Sequence, residues 1–396
     1  AAASAGAVAA PGLLDFSPDE RQRILQHGPW PPPPAHDAGN ALAGQPAAIA
    51  LGQRLFFEPR LSPDGRFACA SCHVPALAFT DGRPRALGRD TGAGETLDRN
   101  TPTLWNAAQQ RWYGWDGAFD SLWSQALHPL LHPREMAATP AHLQALLRDD
   151  VTLACQWRRL HGTPPSEDAE ATLVGLAKAL GAFVGTLQSG RTPFDHFRDA
   201  LARGDRRTAA RYPLAAQRGL RLFVGRGQCS TCHGGPLFSN GEFGDIGAPF
   251  FVRPGVVDPG RHGGITALRA SRYNLLGPFS DAPDDETLRK TRHVVLQHRN
   301  FGEFKVPSLR NLAHTAPYLH DGQLATLAAV LDHYSALSPD RLHADGEQIL
   351  KPLHLSAGER ADLLAFLRSL STPGATAWQA AADGPCTAAS ARPRMR

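Results

Sequence analysis

Lysine is nearly absent. In 396 residues it occurs only at Lys178, Lys290, Lys305 and Lys351, so the formal net charge of +4 rests on arginine. No basic run accompanies that surplus, and a nucleic-acid partner is therefore not implied by charge. Every apolar stretch falls short of the roughly 18 residues that a membrane-crossing helix needs, so no membrane span is expected. Alternating β-branched runs are few and none is long, which leaves little to build a sheet from. Charged residues make up only 20% of the chain, whereas Pro (33) and Gly (38) are plentiful beside 42% hydrophobic residues. The composition predicts a mainly α fold that buries a core, with long loops organised around something other than a core of their own.

The first 45 residues hold Pro11, Pro29 and Pro31 to Pro34 among many Ala and Gly, and read as an irregular extension that wraps or dangles. A similar tail runs from Pro373 to Arg396. Ala1–Ala10 is small and apolar, as a stretch left by signal-peptide removal would be, and suggests export. Between the two ends, Leu173–Leu187 carries apolar residues at helical spacing. Ser356 and Glu359 form a capping box ahead of Leu363, Phe366, Leu367 and Leu370, with Pro373 as the stop.

An internal repeat is visible. Gly52-Gln-Arg-Leu55-Phe56-Phe57 precedes Cys69-Ala-Ser-Cys72-His73, and Gly219-Leu-Arg-Leu222-Phe223-Val224 precedes Cys229-Ser-Thr-Cys232-His233, 160 positions later. Two homologous modules are the simplest reading. Cys-x-x-Cys-His attaches c-type haem: the thiols add across the vinyl groups and the His becomes an axial iron ligand. A zinc site would have to close both Cys pairs on one ion and would leave the His residues surplus. Haem attachment outside the cytoplasm agrees with export and predicts a periplasmic location. Cys155 and Cys386 are left over. They either pair in an oxidising compartment, tying the tail to the first module, or are unrelated thiols.

In its motifs the chain resembles the bacterial dihaem cytochrome c peroxidases and the related MauG enzymes of methylamine utilisation. The similarity runs from about residue 48 to residue 371. It rests on Leu55-Phe56-Phe57, Pro59-Arg60-Leu61-Ser62, Cys69–His73, Ala78-Phe79-Thr80-Asp81-Gly82 and Arg99-Asn100-Thr101-Pro102-Thr103-Leu104. It continues through Trp115-Asp116-Gly117, Cys229–His233, Phe304-Lys305-Val306-Pro307-Ser308-Leu309-Arg310-Asn311 and Ala316-Pro317-Tyr318-Leu319-His320-Asp321-Gly322. The resemblance implies two tandem cytochrome c-like domains with one haem each. The expected division is 46–215 for a peroxidatic domain and 216–372 for an electron-relay domain.

The resemblance also implies residue roles. Gln125, Pro129 and Glu135 match the family's positions over the reactive haem, with Glu135 as acid/base and Gln125 as hydrogen-bond partner of bound peroxide. The peroxidase branch carries a His in the loop after the first haem motif, which blocks that iron until the second haem is reduced. Here no His lies between His73 and His128, and Arg89 stands at that spacing. A permanently open first haem follows, with His128 and His132 as pocket or surface residues. The second haem takes His233 as one ligand. Met, used there by the peroxidase branch, is nearly excluded, because Met136 and Met395 are the only methionines. MauG uses Tyr, and Tyr318 matches at a similar distance, with a packed Tyr318 and ligation by His320 or His314 as the alternative. Trp115 matches the tryptophan between the haems, while Trp105, Trp112 and Trp123 read as core. Asn100 matches an Asn of the family's inter-haem calcium site, whose other ligands are carbonyls or water.

Three functions fit these expectations. In the first, MauG-like, hydrogen peroxide drives both haems to high-valent iron that oxidises Trp or Tyr on a partner protein. The second is a cytochrome c peroxidase fed by a small cytochrome or cupredoxin. The third is a dihaem electron carrier, which Gln125 and Glu135 disfavour. Tyr318 and the missing His favour the first.

Overall fold

The computed structural model describes residues 12–35, 37, 39–90, 96–248, 251–282, 285–338, 345, 346, 348–373, 378, 380 and 386. Ala1–Ala10 and Met395 lie outside them. The described chain is mainly helical. Its strands are two short antiparallel pairs, Phe243–Gly244 with Phe304–Lys305 and Phe251–Arg253 with Val256–Val257.

Two hydrophobic cores organise the helices. The first gathers Leu51, Leu55, Phe56, Trp123, Leu127, Leu173, Leu180 and Phe183. The second gathers Phe194, Phe197, Leu220, Phe223, Phe238, Leu363 and Phe366. Each is built on a crossed pair of helices, and the glycine of the sequence repeat marks each crossing. In the first, Pro46–Phe56 crosses Ala169–Val184, where a Cβ on Gly52 would lie 2.0 Å from the Ala179 carbonyl oxygen. In the second, Leu214–Val224 crosses Ala357–Arg368, where a Cβ on Gly219 would lie 2.0 Å from the Asp362 carbonyl oxygen. Only glycine lets the backbones approach so closely.

Both helices read from periodicity are present. Ala169–Val184 starts from Asp168, whose side chain accepts from the Glu170 amide, and it buries every residue from Thr172 to Phe183. Ala357–Arg368 starts from the Ser356–Glu359 capping box. It closes at Ser369, ahead of Pro373, so the proline follows the end rather than causing it.

The terminal segments depart from the sequence reading. Ser17 and Glu20 form a capping box that starts a helix at Pro18–Leu25, and Ile24 belongs to the second core. The Leu14 amide donates to Gln217 Oε1 and Arg23 to the Val224 carbonyl, so this extension is strapped to the second core. The tail returns to the first core: Trp378 stacks on Phe57 at 5.3 Å, and Cys386 is disulfide-bonded to Cys155. Phe194, Phe197 and Tyr212, which precede residue 215, pack into the second core.

Candidate haem sites and peroxidatic pocket

Cys69–Cys72 form one helical turn and Cys229–Thr231 a tighter 3-10 turn. All four thiols are unbridged. Cys69 packs against the first core and Cys229 against the second, so the pairs do not close on one ion as zinc would require. The two His residues are held alike. His73 Nδ1 lies 3.0 Å from the Phe79 carbonyl oxygen and His233 Nδ1 lies 3.0 Å from that of Phe238. Both phenylalanines reach that position in left-handed backbone, with φ of 58° and 54°. With the Nδ1 proton donated to a carbonyl, each Nε2 keeps its lone pair for iron. Burial holds both rings below the usual His range, against the pull of those carbonyls, and so favours the neutral form that binds metal. Burial likewise pushes Cys69 up to about 12 and Cys72 and Cys229 up to about 11. These residues fit two covalently attached haems, one in each core.

The candidate peroxidatic residues Gln125, Pro129 and Glu135 lie on and just after the helix Leu122–Leu131. Ser121 caps it by accepting from the Ser124 amide, and Pro129 lies inside it. Pro129 has no N–H for the Gln125 carbonyl, which loosens the last turn. The chain folds back there, with Met136 N donating to the Pro129 oxygen (3.0 Å) and Ala138 N to the Leu130 oxygen (2.8 Å). Glu135 thereby returns beside the helix, its Oε1 3.4 Å from His128 Nε2 and 3.7 Å from His132 Nδ1. Burial alone would raise the Glu135 pKa, but the interactions opposed to it, led by the hydrogen bond from His128, hold the carboxyl below the usual range. The Glu135 charge also acts on Cys69 and Cys72, which places the carboxylate toward the haem-bearing motif. Gln125 Oε1 is buried with no hydrogen-bond partner, as expected of a group that meets a ligand. His128 and His132 gather about Glu135, their rings 4.9 Å apart.

At the second haem motif an internal repeat brings out a further tyrosine. A repeat that the sequence reading missed relates residues 102–135 to residues 205 positions later. Tyr113-Gly-Trp115-Asp116-Gly117 matches Tyr318-Leu-His320-Asp321-Gly322. Asn106 and Asn311 are both left-handed, at φ 62° and 65°. Tyr113 bridges Phe119 as Tyr318 bridges Leu324. The Tyr113 hydroxyl donates to the Ala107 carbonyl (3.2 Å), and that of Tyr318 to the equivalent Leu312 carbonyl (2.7 Å). Tyr318 thus holds the packing position of Tyr113, with its hydroxyl bonded to a carbonyl as that of Tyr113 is. In the same register Ser121 and Thr326 cap equivalent helices, Leu122–Leu131 and Leu327–Ser335. Tyr334 then stands where Pro129 stands in the first half. Its hydroxyl is raised by burial and by the charges of Cys229 and Cys232, which places it at the second haem motif. Other candidates are occupied: His314 Nε2 is 3.1 Å from the Thr372 oxygen, His320 stacks on Phe304 at 3.6 Å, and Met136 is buried in the first core.

Trp115 lies between the halves. Its Nε1 donates to the Asn100 carbonyl (2.9 Å), Asn100 N to the His320 carbonyl (2.8 Å), and Lys305 N to the Trp115 carbonyl (2.8 Å). Asn100 Nδ2 donates to the Arg83 carbonyl at 2.7 Å. Among the described residues no three His, Cys, Asp or Glu side chains gather to hold a metal ion, so calcium at Asn100 would depend on carbonyls. Trp123 is fully buried, Trp105 packs edge-on against Phe79, and Trp112 lies under the Arg261 guanidinium.

Residues 46–203 match the family model for di-haem cytochrome c peroxidase. The methylamine utilization protein MauG of Methylorubrum extorquens is 35% identical over 85% of this chain and 80% of that protein. Cytochrome-c peroxidase IdrP2 of Pseudomonas sp. is 34% identical over 88% of this chain and 85% of that protein. A crystal structure of a MauG-like protein associated with microbial copper homeostasis superposes with a TM-score of 0.65 at 28% identity, covering 88% of this chain and 97% of that one. The chain belongs to the di-haem cytochrome c peroxidase family, whose members are oxidoreductases of the peroxidase type.

Proposed function

We propose that the chain is a MauG-like dihaem peroxidase that oxidises a partner protein with hydrogen peroxide. The observation that supports this reading is the pairing of Pro129 with Tyr334. In the shared frame of the two halves, a first haem would meet a residue that cannot ligate iron and a second would meet a phenol. When bound, the haems supply the two-electron reduction of peroxide and store the oxidising equivalents.

The chain's residues do the rest. Gln125 hydrogen-bonds the incoming peroxide. Glu135, kept ionised by His128, takes a proton from one peroxide oxygen and returns it to the other, which leaves as water. Trp115 offers an indole between the haem positions for electron passage. Tyr334 is the residue that would hold the second haem through an anionic oxygen, a ligand that favours the ferric state. The partner is a protein with an oxidisable Trp or Tyr, or a small redox protein. The disulfide and the extracytoplasmic chemistry of haem attachment support a periplasmic site of action.

A cytochrome c peroxidase is the second reading, supported by the similarity to IdrP2. One equivalent of peroxide added to the diferric protein separates the two by rapid-freeze Mössbauer spectroscopy. Oxidation of both haems without prior reduction is expected. Reaction only after one-electron reduction would put the peroxidase reading first.

A further inference from the structure

The loop after the first haem motif, where a gated peroxidase would carry its blocking His, is laced onto the segment that bears Glu135. Gly88 makes this possible: a Cβ there would lie 2.0 Å from the Arg134 carbonyl oxygen. Arg89 then holds three consecutive carbonyls. Its amide donates to the Arg134 oxygen (2.7 Å), its Nε to the Glu135 oxygen (2.9 Å) and its Nη2 to the Met136 oxygen (3.4 Å). The same Nη2 donates to Ser62 Oγ (2.6 Å) and pairs with Asp64 Oδ1 (2.6 Å), while Ser62 Oγ donates to Asp64 Oδ1 (2.7 Å). One guanidinium therefore ties three separate stretches of chain, 62–64, 86–89 and 134–136.

Glu135 needs such an anchor. It follows the helix broken by Pro129, and Ala137 beside it is strained at a φ of 54°. No regular element holds its main chain. A planar fork satisfying fixed carbonyls loses less side-chain freedom per bond than a lysine would.

We propose that Arg89 is the positioning residue of Glu135 and the lock that keeps the loop off the first haem. The proposal rests on the reading of Glu135 as acid/base. Arg89 bonds main-chain carbonyls, Ser62 and Asp64, and so acts through the main chain on which the carboxylate stands.

The test compares Arg89→Ala, Arg89→Lys, Glu135→Gln and the double variant Arg89→Ala/Glu135→Gln as haem-loaded proteins. Arg89→Ala is expected to slow the stopped-flow reaction with peroxide roughly 10–100-fold, and Arg89→Lys, which keeps charge but not the fork, roughly 3–10-fold. Should Arg89→Ala fail to fold, Arg89→Lys carries the comparison. Because Arg89 acts through Glu135, the double variant should react no slower than Glu135→Gln alone. Hydrogen exchange gives a readout apart from activity: the Met136 and Ala138 amides should exchange at least about 10-fold faster in Arg89→Ala, with those of Leu327–Ser335 unchanged.

Wild-type rate and exchange in the Arg89 variants, beside a slow Glu135→Gln, would overturn the clamp and leave Glu135 in its role. Slowing that multiplies in the double variant would likewise overturn it, since Arg89 would then act elsewhere. A wild-type rate for Glu135→Gln would remove the acid/base reading and the proposal with it.

Discussion

The two halves of this molecule share a scaffold but carry different residues at one position of a common helix, Pro129 in the first and Tyr334 in the second. Between residues 102–135 and their counterparts 205 positions later, the left-handed Asn, the Tyr bound to a carbonyl, the β-bridge and the capped helix all recur. Each axial His is oriented by the carbonyl of a left-handed Phe. Those shared parts do the packing. Pro129 and Tyr334 sit in the same frame, a residue with no ligating atom in one half and a phenol in the other.

The halves also differ in what supports each Phe. Trp378, from the tail, packs edge-on against Phe79 at 6.0 Å. His27, from the N-terminal strap, stacks on Phe238 at 4.5 Å and lies 3.2 Å from the Gly235 oxygen. Each terminal segment therefore buttresses one haem motif, a task that their Pro- and Ala-rich composition does not advertise.

The largest expected effect breaks the open half. Glu135→Gln should keep both haems attached and slow the reaction with peroxide by roughly 10²–10⁴-fold, the worth of a positioned acid/base, as read by stopped-flow absorbance. An unaltered rate would hand the proton to His128 or His132.

A second experiment opens the closed half. The resting ferric protein should show one high-spin and one low-spin signal by electron paramagnetic resonance. Tyr334→Phe should convert the low-spin signal to high-spin, whereas Tyr318→Phe should leave it untouched. A spectrum altered by Tyr318→Phe and not by Tyr334→Phe would reverse the assignment.

The two buttresses differ in titration. Burial is the main reason that the His27 pKa is lowered to about 4. An unfolded His protonates near pH 6.5, so between those values the unfolded chain binds the additional proton. Stability should fall as pH drops from about 6.5 to about 4, by as much as about 3 kcal/mol from this residue. His27→Phe should remove that share from urea titrations across this window, and an unchanged pH dependence would contradict it.

The smallest effect tests the sameness of the halves. Tyr113→Phe and Tyr318→Phe each remove one hydroxyl-to-carbonyl bond, and each should cost about 1 kcal/mol of stability by denaturant titration. A loss confined to one of them would mean that the repeat does not extend to energetics.

Much of the site was legible because covalent haem chemistry demands Cys and His at fixed spacing. Cys69, Cys72, His73, Cys229, Cys232 and His233 could be read from order alone. Glu135 and Gln125 needed the family pattern, since an isolated carboxylate or amide carries no signal. Tyr334 was readable in principle, from the Tyr-x-x-Asp-Gly repeat counted forward to the helix. The Tyr nearer the motif drew the assignment because sequence distance says nothing about which hydroxyl already has a partner. Arg89 was noticed only as a missing His, because its role depends on three carbonyls brought to it by a fold-back.

The sequence by itself determined the two Cys-x-x-Cys-His motifs, the repeated short helices that bear Gly52 and Gly219, and the capped helix at Ser356, since each depends on near neighbours or on periodicity. Tertiary structure alone decided what Arg89 holds, where the terminal segments dock, and that Cys155 meets Cys386 across 231 residues of chain. Those contacts join residues far apart in sequence. Local propensity is blind to them, because their free energy comes from packing that exists only once both cores have formed.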